Sequence, residues 1–120
     1  MWDTDRGDYM KRDRILINKE QIPYRFSILL GSELFILTVS YNKKHDFFTI
    51  ALEDSQENVL CVAEPIIYGV PLWQDVQQAH KYPVVRIIPI DESNQENTVT
   101  WDNFGETVFL TIDNAEEELI

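Results

Sequence analysis

The residue types that most often bind metals or act in catalysis are sparse in this sequence and are not grouped. The two histidines, His45 and His80, lie in polar, turn-like segments without a repeated spacing. A zinc site needs three or four ligands in a defined geometry, so we expect no metal site. Cys61 lies between Leu60 and Val62 in a strand-like run, where a cysteine is usually a small buried hydrophobic residue and not a nucleophile.

Two pairs of adjacent carboxylates, Glu53-Asp54 and Asp91-Glu92, are the remaining candidates for acid–base chemistry. Glycoside hydrolysis needs two carboxylates on either side of the scissile bond, whereas neighbouring acids in turns are the ordinary composition of solvated loops. The sequence also contains no glycine-rich phosphate loop and no Gly-x-Ser-x-Gly motif. We therefore predict that the chain is not an enzyme and uses no cofactor.

Four aromatic residues near predicted loops, Trp73, Tyr82, Trp101 and Phe104, are candidates for a platform that stacks on a sugar or a base. Core packing is the alternative role for such side chains. Trp73 differs from the others because it follows a Gly-Val-Pro-Leu segment in a loop. A large apolar side chain in such a loop either packs inward or meets a partner, and both alternatives stay open at this point.

The elements that would position these residues are short β-strands. Polar and apolar residues alternate from Tyr24 to Ile28, and a Gly31-Ser32 break separates this run from a second one, which predicts a hairpin. In the second run, alternation predicts one face with Phe35, Leu37, Val39 and Tyr41 and another with Leu34, Ile36, Thr38 and Ser40. Further strand-like runs are found at 14–21, 47–54, 59–69, 84–90, 98–101 and 107–113.

This spacing predicts one all-β domain, a small antiparallel β-barrel or β-sandwich of about seven or eight short strands. One helical turn is an option between Gln74 and His80. We expect a charged N-terminal arm at residues 1–14, the β domain at 15–112 and an acidic tail at 113–120. The expected core includes the large β-forming rings Phe26, Phe48, Trp101 and Phe109.

The charge of the chain excludes some classes of partner. It has 21 acidic and 10 basic residues, a formal net charge of -11. Such a surface repels phosphate backbones and anionic membranes, so we expect no grip on nucleic acid. No apolar stretch approaches the ~20 residues that span a bilayer, which predicts no membrane insertion.

Four segments taken together resemble the small baseplate plug proteins of tailed phages: IPYRFSILLG, SYNKKHDFFTIAL, EPIIYGVPLW and WDNFGETVFL. The resemblance extends over residues 15–112 and omits both ends. It implies a structural protein, found in the tail baseplate of the virion and in the host cytoplasm during assembly. This protein would plug or cap the central tail channel and contact hub and spike proteins. Self-association in the particle is a further option.

In this plug interpretation, the expected interface is the loop with Tyr68, Val70, Leu72 and Trp73, flanked by the turn that carries Phe104. Trp73→Ala would then weaken assembly and leave the isolated domain folded. One alternative is a free-standing, small-ligand-binding β-barrel in which the Trp73 loop is a lid. Another is an enzyme whose site forms only in an oligomer.

Overall fold

The computed structural model describes residues 13–74 and 81–113, which form seven β-strands and one short 3-10 helix. The strands are β1 (Asp13–Ile15), β2 (Tyr24–Leu30), β3 (Glu33–Asn42), β4 (Phe47–Asp54), β5 (Val59–Pro65), β6 (Arg86–Ile90) and β7 (Phe109–Asp113); the 3-10 helix is Lys19–Gln21. All strand pairs are antiparallel, in a three-stranded sheet of order β1-β7-β6 and a four-stranded sheet of order β2-β3-β4-β5. The predicted all-β class is confirmed.

Several expectations fall at the edges of the described residues. Most of the expected arm (residues 1–12), the tail after Asp113 and the optional helical turn from residue 75 to 80 lie outside them. The last two residues of the expected arm, Asp13 and Arg14, pair with β7. Within residues 13–74 and 81–113, no helix is long and apolar enough to cross a membrane.

The β2–β3 hairpin follows the sequence pattern closely. Leu30 pairs with Glu33, so Gly31 and Ser32 form a two-residue turn. Gly31 has a φ of +66°, as the first central residue of the primed hairpin turns requires. A Cβ at this position would lie 2.7 Å from Cγ2 of Val84. Glycine is thus needed here both for its backbone conformation and for space.

The alternation predicted for β3 is confirmed on its inner face. Phe35, Leu37 and Val39 are at most 2% exposed, while Leu34 on the other face is 47% exposed. Ile36 is the exception, because it is buried on the outer face.

An ion pair on that outer face spans β3. Arg25 on β2 bonds through Nη2 to Oε1 of Glu53 on β4 at 2.8 Å, so the pair crosses the strand that carries Ile36. The same nitrogen lies 3.4 Å from Oε1 of Glu57. The ion pair therefore lies on the same face of the sheet as Ile36.

Strand β5 forms an irregular edge of the four-stranded sheet. Its pairing with β4 shifts register between Ile50 and Leu52 and again between Leu52 and Glu53. Cys61 on this strand packs against the core but is only partly buried, so it is less buried than expected. The reason is the edge position, which leaves one flank of the strand without a neighbouring strand.

The apolar side chains that strand β7 packs against the core lie on the opposite side of the strand from Phe109. Val108 and Leu110 are fully buried, and because successive side chains in a strand point to opposite faces, Phe109 points away from the core. Its ring lies 4.0 Å from Cζ of Arg14. The expectation of a core Phe109 is therefore wrong, whereas Phe48 is fully buried as predicted. The other two rings, Phe26 and Trp101, are half-buried against the core.

Both sheets contribute to one hydrophobic core, and a loop joins them along one side. The amide of Ile66 donates to the Phe48 carbonyl of β4 at 2.9 Å. Further along, Gly69 N donates to Pro89 O at 2.8 Å and Leu72 N to Ile87 O at 2.9 Å. This loop, 66–73, covers the free edge of β6. Among the described residues the strands form two sheets and no closed barrel.

The connection from β6 to β7 is a long irregular loop, and the strand expected at 98–101 is absent there. The Asp91 carboxylate accepts hydrogen bonds from the amides of Ser93, Gln95 and Glu96 at 2.9 Å each and from the Ser93 hydroxyl at 2.6 Å. These bonds to the ionised carboxyl lower the pKa of Asp91, the Ser93 hydroxyl contributing most. One side chain thus organises the first turn of the loop.

Asn103 organises the second half of this loop. Its side-chain oxygen accepts from the Thr100 amide at 2.8 Å, and its side-chain nitrogen donates to the Thr98 carbonyl at 3.0 Å. Its own carbonyl accepts from the amides of three following residues, including Val108. Thr98 and Thr100 of the segment 98–101 therefore bond to the Asn103 side chain, and no residue of this segment belongs to a strand.

We predict that Phe48→Ala lowers the free energy of unfolding by ~3–5 kcal/mol, since the ring is fully buried and its removal leaves a cavity. Phe109→Ala is the matched control because it deletes the same ring from the opposite face of the fold. Urea unfolding of both variants measures the difference. Equal losses for the two would contradict the assignment of faces.

We predict that Asp91 stabilises the fold in a pH-dependent way. Its folded-state pKa is below the ordinary value of 3.8, so the stabilisation is complete above that range and is lost as the pH falls through the folded-state pKa. Asp91→Asn should lower the thermal midpoint at neutral pH and flatten its fall in acid. Glu106→Gln, an exposed carboxyl in the same loop, is the control and should leave the profile unchanged.

Candidate interface site

The structure gives the two predicted acid pairs structural roles. Asp54 accepts from the amides of Gln56 and Asn58 at 2.9 Å each, which closes the β4–β5 turn. Its neighbour Glu53 pairs with Arg25. In the second pair, Asp91 organises its loop, and Glu92 lies 3.2 Å from Nη2 of Arg14. Each of the four carboxylates therefore has a partner in the fold.

The described residues contain no group of three or more His, Cys, Asp or Glu side chains that could hold a metal ion. His45 is exposed, and its backbone amide donates to Oδ1 of Asn42 at 3.0 Å in the β3–β4 turn. His80 lies outside the described residues.

The predicted interface loop is divided between the core and the surface. Leu72 is 6% exposed and Trp73 is 7% exposed, and both belong to the core cluster. Tyr68 and Val70 are half-buried, and Ile67 beside them is 52% exposed. Only the first part of the loop therefore presents side chains to a partner without a change of packing.

Trp73 is held by several specific contacts. Its amide donates to Oε2 of Glu64 at 2.8 Å, and its ring lies 6.3 Å from that of Tyr82. Its φ of 59° is in the left-handed region, which is unfavourable for a bulky residue. The indole Nε1 is buried and has no hydrogen-bond partner in the described part of the chain. The surrounding packing must therefore outweigh both penalties.

Tyr68 joins this loop to the loop that follows β6. Its hydroxyl accepts a hydrogen bond from the Asp91 amide at 3.0 Å. Phe104 is 1% exposed, and its ring centroid lies 4.5 Å from that of Phe48. The loop and the Phe104 turn thus contribute to the same core cluster. Phe104 itself is a core residue and not a surface residue.

The structure also contains a pocket that the sequence analysis did not predict. Tyr41, Lys43, Asp46, Trp101 and Asp102 line a shallow pocket of about 600 Å³, which we call the Tyr41–Trp101 pocket. It forms where the β3–β4 turn meets the loop before β7. Oδ1 of Asp46 accepts from the Tyr41 hydroxyl at 2.7 Å and from the Trp101 amide at 2.9 Å. One carboxylate oxygen therefore joins two segments that are distant in sequence.

The rings of this pocket are fixed by the core beneath them. Tyr41 and Trp101 are 4.7 Å apart between centroids, and both pack on Phe48. The hydrogen bond to Asp46 is the main cause that raises the pKa of Tyr41 to about 12. Outside the pocket lining, Nζ of Lys19 donates to the Trp101 carbonyl at 2.5 Å and lies 5.3 Å from the Trp101 ring.

The residues that line this pocket come from the SYNKKHDFF and WDNFGE segments. The four candidate platform residues do not form one unit, since Trp101 packs against Tyr41 and Phe48 whereas Trp73 contacts Tyr82. The pairing of Tyr41 with Trp101 depends on contacts between residues far apart in the chain, which no local pattern reveals.

A third surface feature lies at the tip of the β2–β3 hairpin. Leu29 and Leu34 are cross-strand neighbours and are 63% and 47% exposed. Val84, 55% exposed, lies against Gly31 at the tip. Val59, 63% exposed, lines with Leu34 a groove of about 490 Å³. We call Leu29, Leu34, Val59 and Val84 the hairpin-end patch.

The burial of Trp73 changes the expected result of its truncation. We predict that Trp73→Ala lowers the free energy of unfolding by ~3–5 kcal/mol, because it removes a large ring from the core. Trp73→Phe is the matched control: it keeps most of the ring and removes the unpaired indole nitrogen, so it should cost less. Chemical unfolding of both variants tests this, and an unmoved midpoint for Trp73→Ala would show that the ring is not part of the core.

Comparison with known proteins gives a match to a family model. A family model described as "Cyanophage baseplate Pam3 plug gp18" matches residues 12–116. No curated protein and no solved structure matches the chain. The matched range includes both sheets, the loop 66–73 and the Tyr41–Trp101 pocket. Since this match extends over most of the sequence, the chain belongs to the phage baseplate plug family of the cyanophage baseplate Pam3 plug gp18.

Proposed function

We propose that this chain closes or caps the central channel of a phage tail baseplate by contacting the hub and spike proteins around it. The observation that carries the proposal is the family match over residues 12–116, which makes the chain a structural baseplate component of the virion. In this role the chain acts by occupying space and binding neighbours, without catalysis.

The charge of the chain is consistent with a plug that does not hold the genome. A net charge of -11 gives a field that repels phosphate groups over roughly 10 Å at moderate salt. Partners with basic surfaces are instead attracted, and their association is faster. We therefore expect the hub or spike surface that faces this chain to be basic at its rim.

The hairpin-end patch is the surface that we assign to contact with the hub or spike. Its four side chains are at least 47% exposed and lie together at one end of the four-stranded sheet. Clustered apolar side chains on a soluble protein commonly mark a binding surface. Glu33 and Lys81 at the edge of the adjoining groove supply the polar rim that such interfaces have.

The loop 66–73 is the second contact that we propose. Tyr68 and Val70, together with the exposed Ile67, would touch the partner. Leu72, Trp73 and Phe104 would support these residues from the core side. Because the loop is hydrogen-bonded to β6, little conformational freedom is lost when a partner binds it.

The test is co-purification of the chain with the hub and spike proteins encoded by the same phage, with mass spectrometry of purified virions. We predict that Leu34→Glu weakens binding by about tenfold or more, since it places a charge in an apolar contact. Its thermal midpoint should stay close to that of the natural chain because Leu34 is already half exposed.

Leu16→Glu is the matched control. Leu16 is 76% exposed and lies between β1 and the 3-10 helix, outside the hairpin-end patch. This variant should bind like the natural chain. If the natural chain is absent from purified virions, the plug function is wrong and a free-standing ligand-binding protein becomes the better interpretation. Equal binding by both variants would remove the hairpin-end patch from the interface.

A further inference from the structure

We propose that the Tyr41–Trp101 pocket binds the guanidinium group of an arginine side chain from a neighbouring baseplate protein. The inference rests on the proposed function, because it specifies the chemistry of one partner contact. The pocket is formed by described residues and is separate from the hairpin-end patch and from the loop 66–73. Nothing in the family description assigns it a role.

The hydrogen-bonding groups of the pocket favour a donor as the ligand. The Tyr41 hydroxyl and the Trp101 amide both donate to Oδ1 of Asp46, so neither is available to a ligand. Oδ2 of Asp46 and the carboxylate of Asp102 have no protein partner within residues 13–74 and 81–113. These carboxylate oxygens are acceptors, while the lining also carries two donors that do not bond to Asp46, the Lys43 ammonium and the Trp101 indole N–H.

The shape and charge of the pocket select arginine among donors. Its lining includes the aromatic rings of Tyr41 and Trp101, and a guanidinium is flat, weakly hydrated and packs well against the face of an aromatic ring. It carries five N–H donors and can bond to a carboxylate with two of them. The two aspartates outweigh Lys43, and the net charge of -11 adds a long-range attraction for a cation.

The chain itself already holds a cation beside the same aromatic ring. The Lys19 ammonium lies 5.3 Å from the Trp101 ring centroid, within the range in which a cation is attracted to an aromatic face. Lys19 does not line the pocket. The Trp101 ring therefore lies at a distance from an ammonium at which its face attracts a cation.

The pocket is also rigid before a ligand arrives. Its rings pack on Phe48, which is fully buried. The shared hydrogen bonds fix the Asp46 carboxylate. The backbone φ of Asp46 is 54°, a left-handed value that a residue with a short polar side chain tolerates. A fixed carboxylate loses little freedom on binding. The site is therefore preorganised for a single side chain, although one such contact alone binds weakly.

The test is a titration of the full chain, labelled with ¹⁵N, with Nα-acetyl-arginine methylamide, followed by the indole N–H signal of Trp101. The neutral control probe is the corresponding citrulline amide, which has almost the same shape and no charge. We expect the arginine probe to shift the signal and to saturate in the millimolar range, whereas the citrulline probe should not. Equal shifts with both probes, or none with either, would overturn the proposal.

Variants of the lining residues make the test specific. Asp102→Asn should lower the affinity for the arginine probe by about tenfold, because it removes a negative charge that attracts the guanidinium. Lys43→Gln should raise the affinity for the arginine probe by about twofold, since the positive charge that repels the guanidinium is lost. Glu106→Gln, exposed and outside the pocket, is the control and should change nothing. A stronger response to inorganic phosphate or to methyl glucoside than to arginine would show that the pocket serves another ligand.

The same variants separate this inference from the proposed function. If the natural chain is present in virions and Asp102→Asn reduces co-purification with hub or spike, the arginine contact is supported. If the Asp102→Asn variant no longer binds the arginine probe but co-purifies with hub or spike as well as the natural chain does, the pocket does not contact a baseplate partner. The plug function then stands. If the natural chain is absent from virions, the plug function fails, and with it the assignment of a baseplate partner, whatever the titration shows.

Discussion

The architecture depends on the backbone hydrogen bonds by which the loop 66–73 joins the two sheets. At one end Ile66 continues the ladder of β4, and further along Gly69 and Leu72 bond to the carbonyls of β6. These carbonyls would otherwise face solvent or a void at the edge of the three-stranded sheet, and unpaired buried carbonyls are costly. The loop thus satisfies that edge and brings Leu72 and Trp73 over the core.

The same arrangement explains how surface and core are combined in one segment. The half-buried Tyr68 and Val70 lie in the same short loop as two residues that hold the sheets together. A partner that contacts the first pair therefore contacts a segment that cannot move far without loosening the core. The Tyr41–Trp101 pocket has a similar construction, because the two aromatic rings that line it pack on Phe48. Both candidate contacts are rigid before binding.

Elements that depend on a local sequence pattern were predicted correctly. Predictions failed where the structure depends on contacts between residues that are far apart in the sequence. The Gly31-Ser32 hairpin and the inner face of β3 follow from turn chemistry and alternation, and both are confirmed. Phe109 was assigned to the wrong face because Val108 and Leu110 compete with it for the core, and a strand alone does not show which set wins. The strand expected at 98–101 is absent because Asn103 provides hydrogen bonds that local propensity does not reveal. The Tyr41–Trp101 pocket was missed for the same reason, since it joins residues far apart in sequence.

The irregular register of β5 has a consequence for the chain as a free molecule. This edge strand exposes Val59 and Val62, the latter 80% accessible, and such an edge is a template on which copies of a protein can stack into aggregates. The two register shifts against β4 bend the strand, Pro65 at its end lacks an amide hydrogen, and the Leu60 carbonyl is occupied by the Tyr82 hydroxyl. A second copy therefore finds no continuous row of free amides and carbonyls there. Together with mutual repulsion between acidic copies, this broken edge opposes edge-to-edge stacking of the chain.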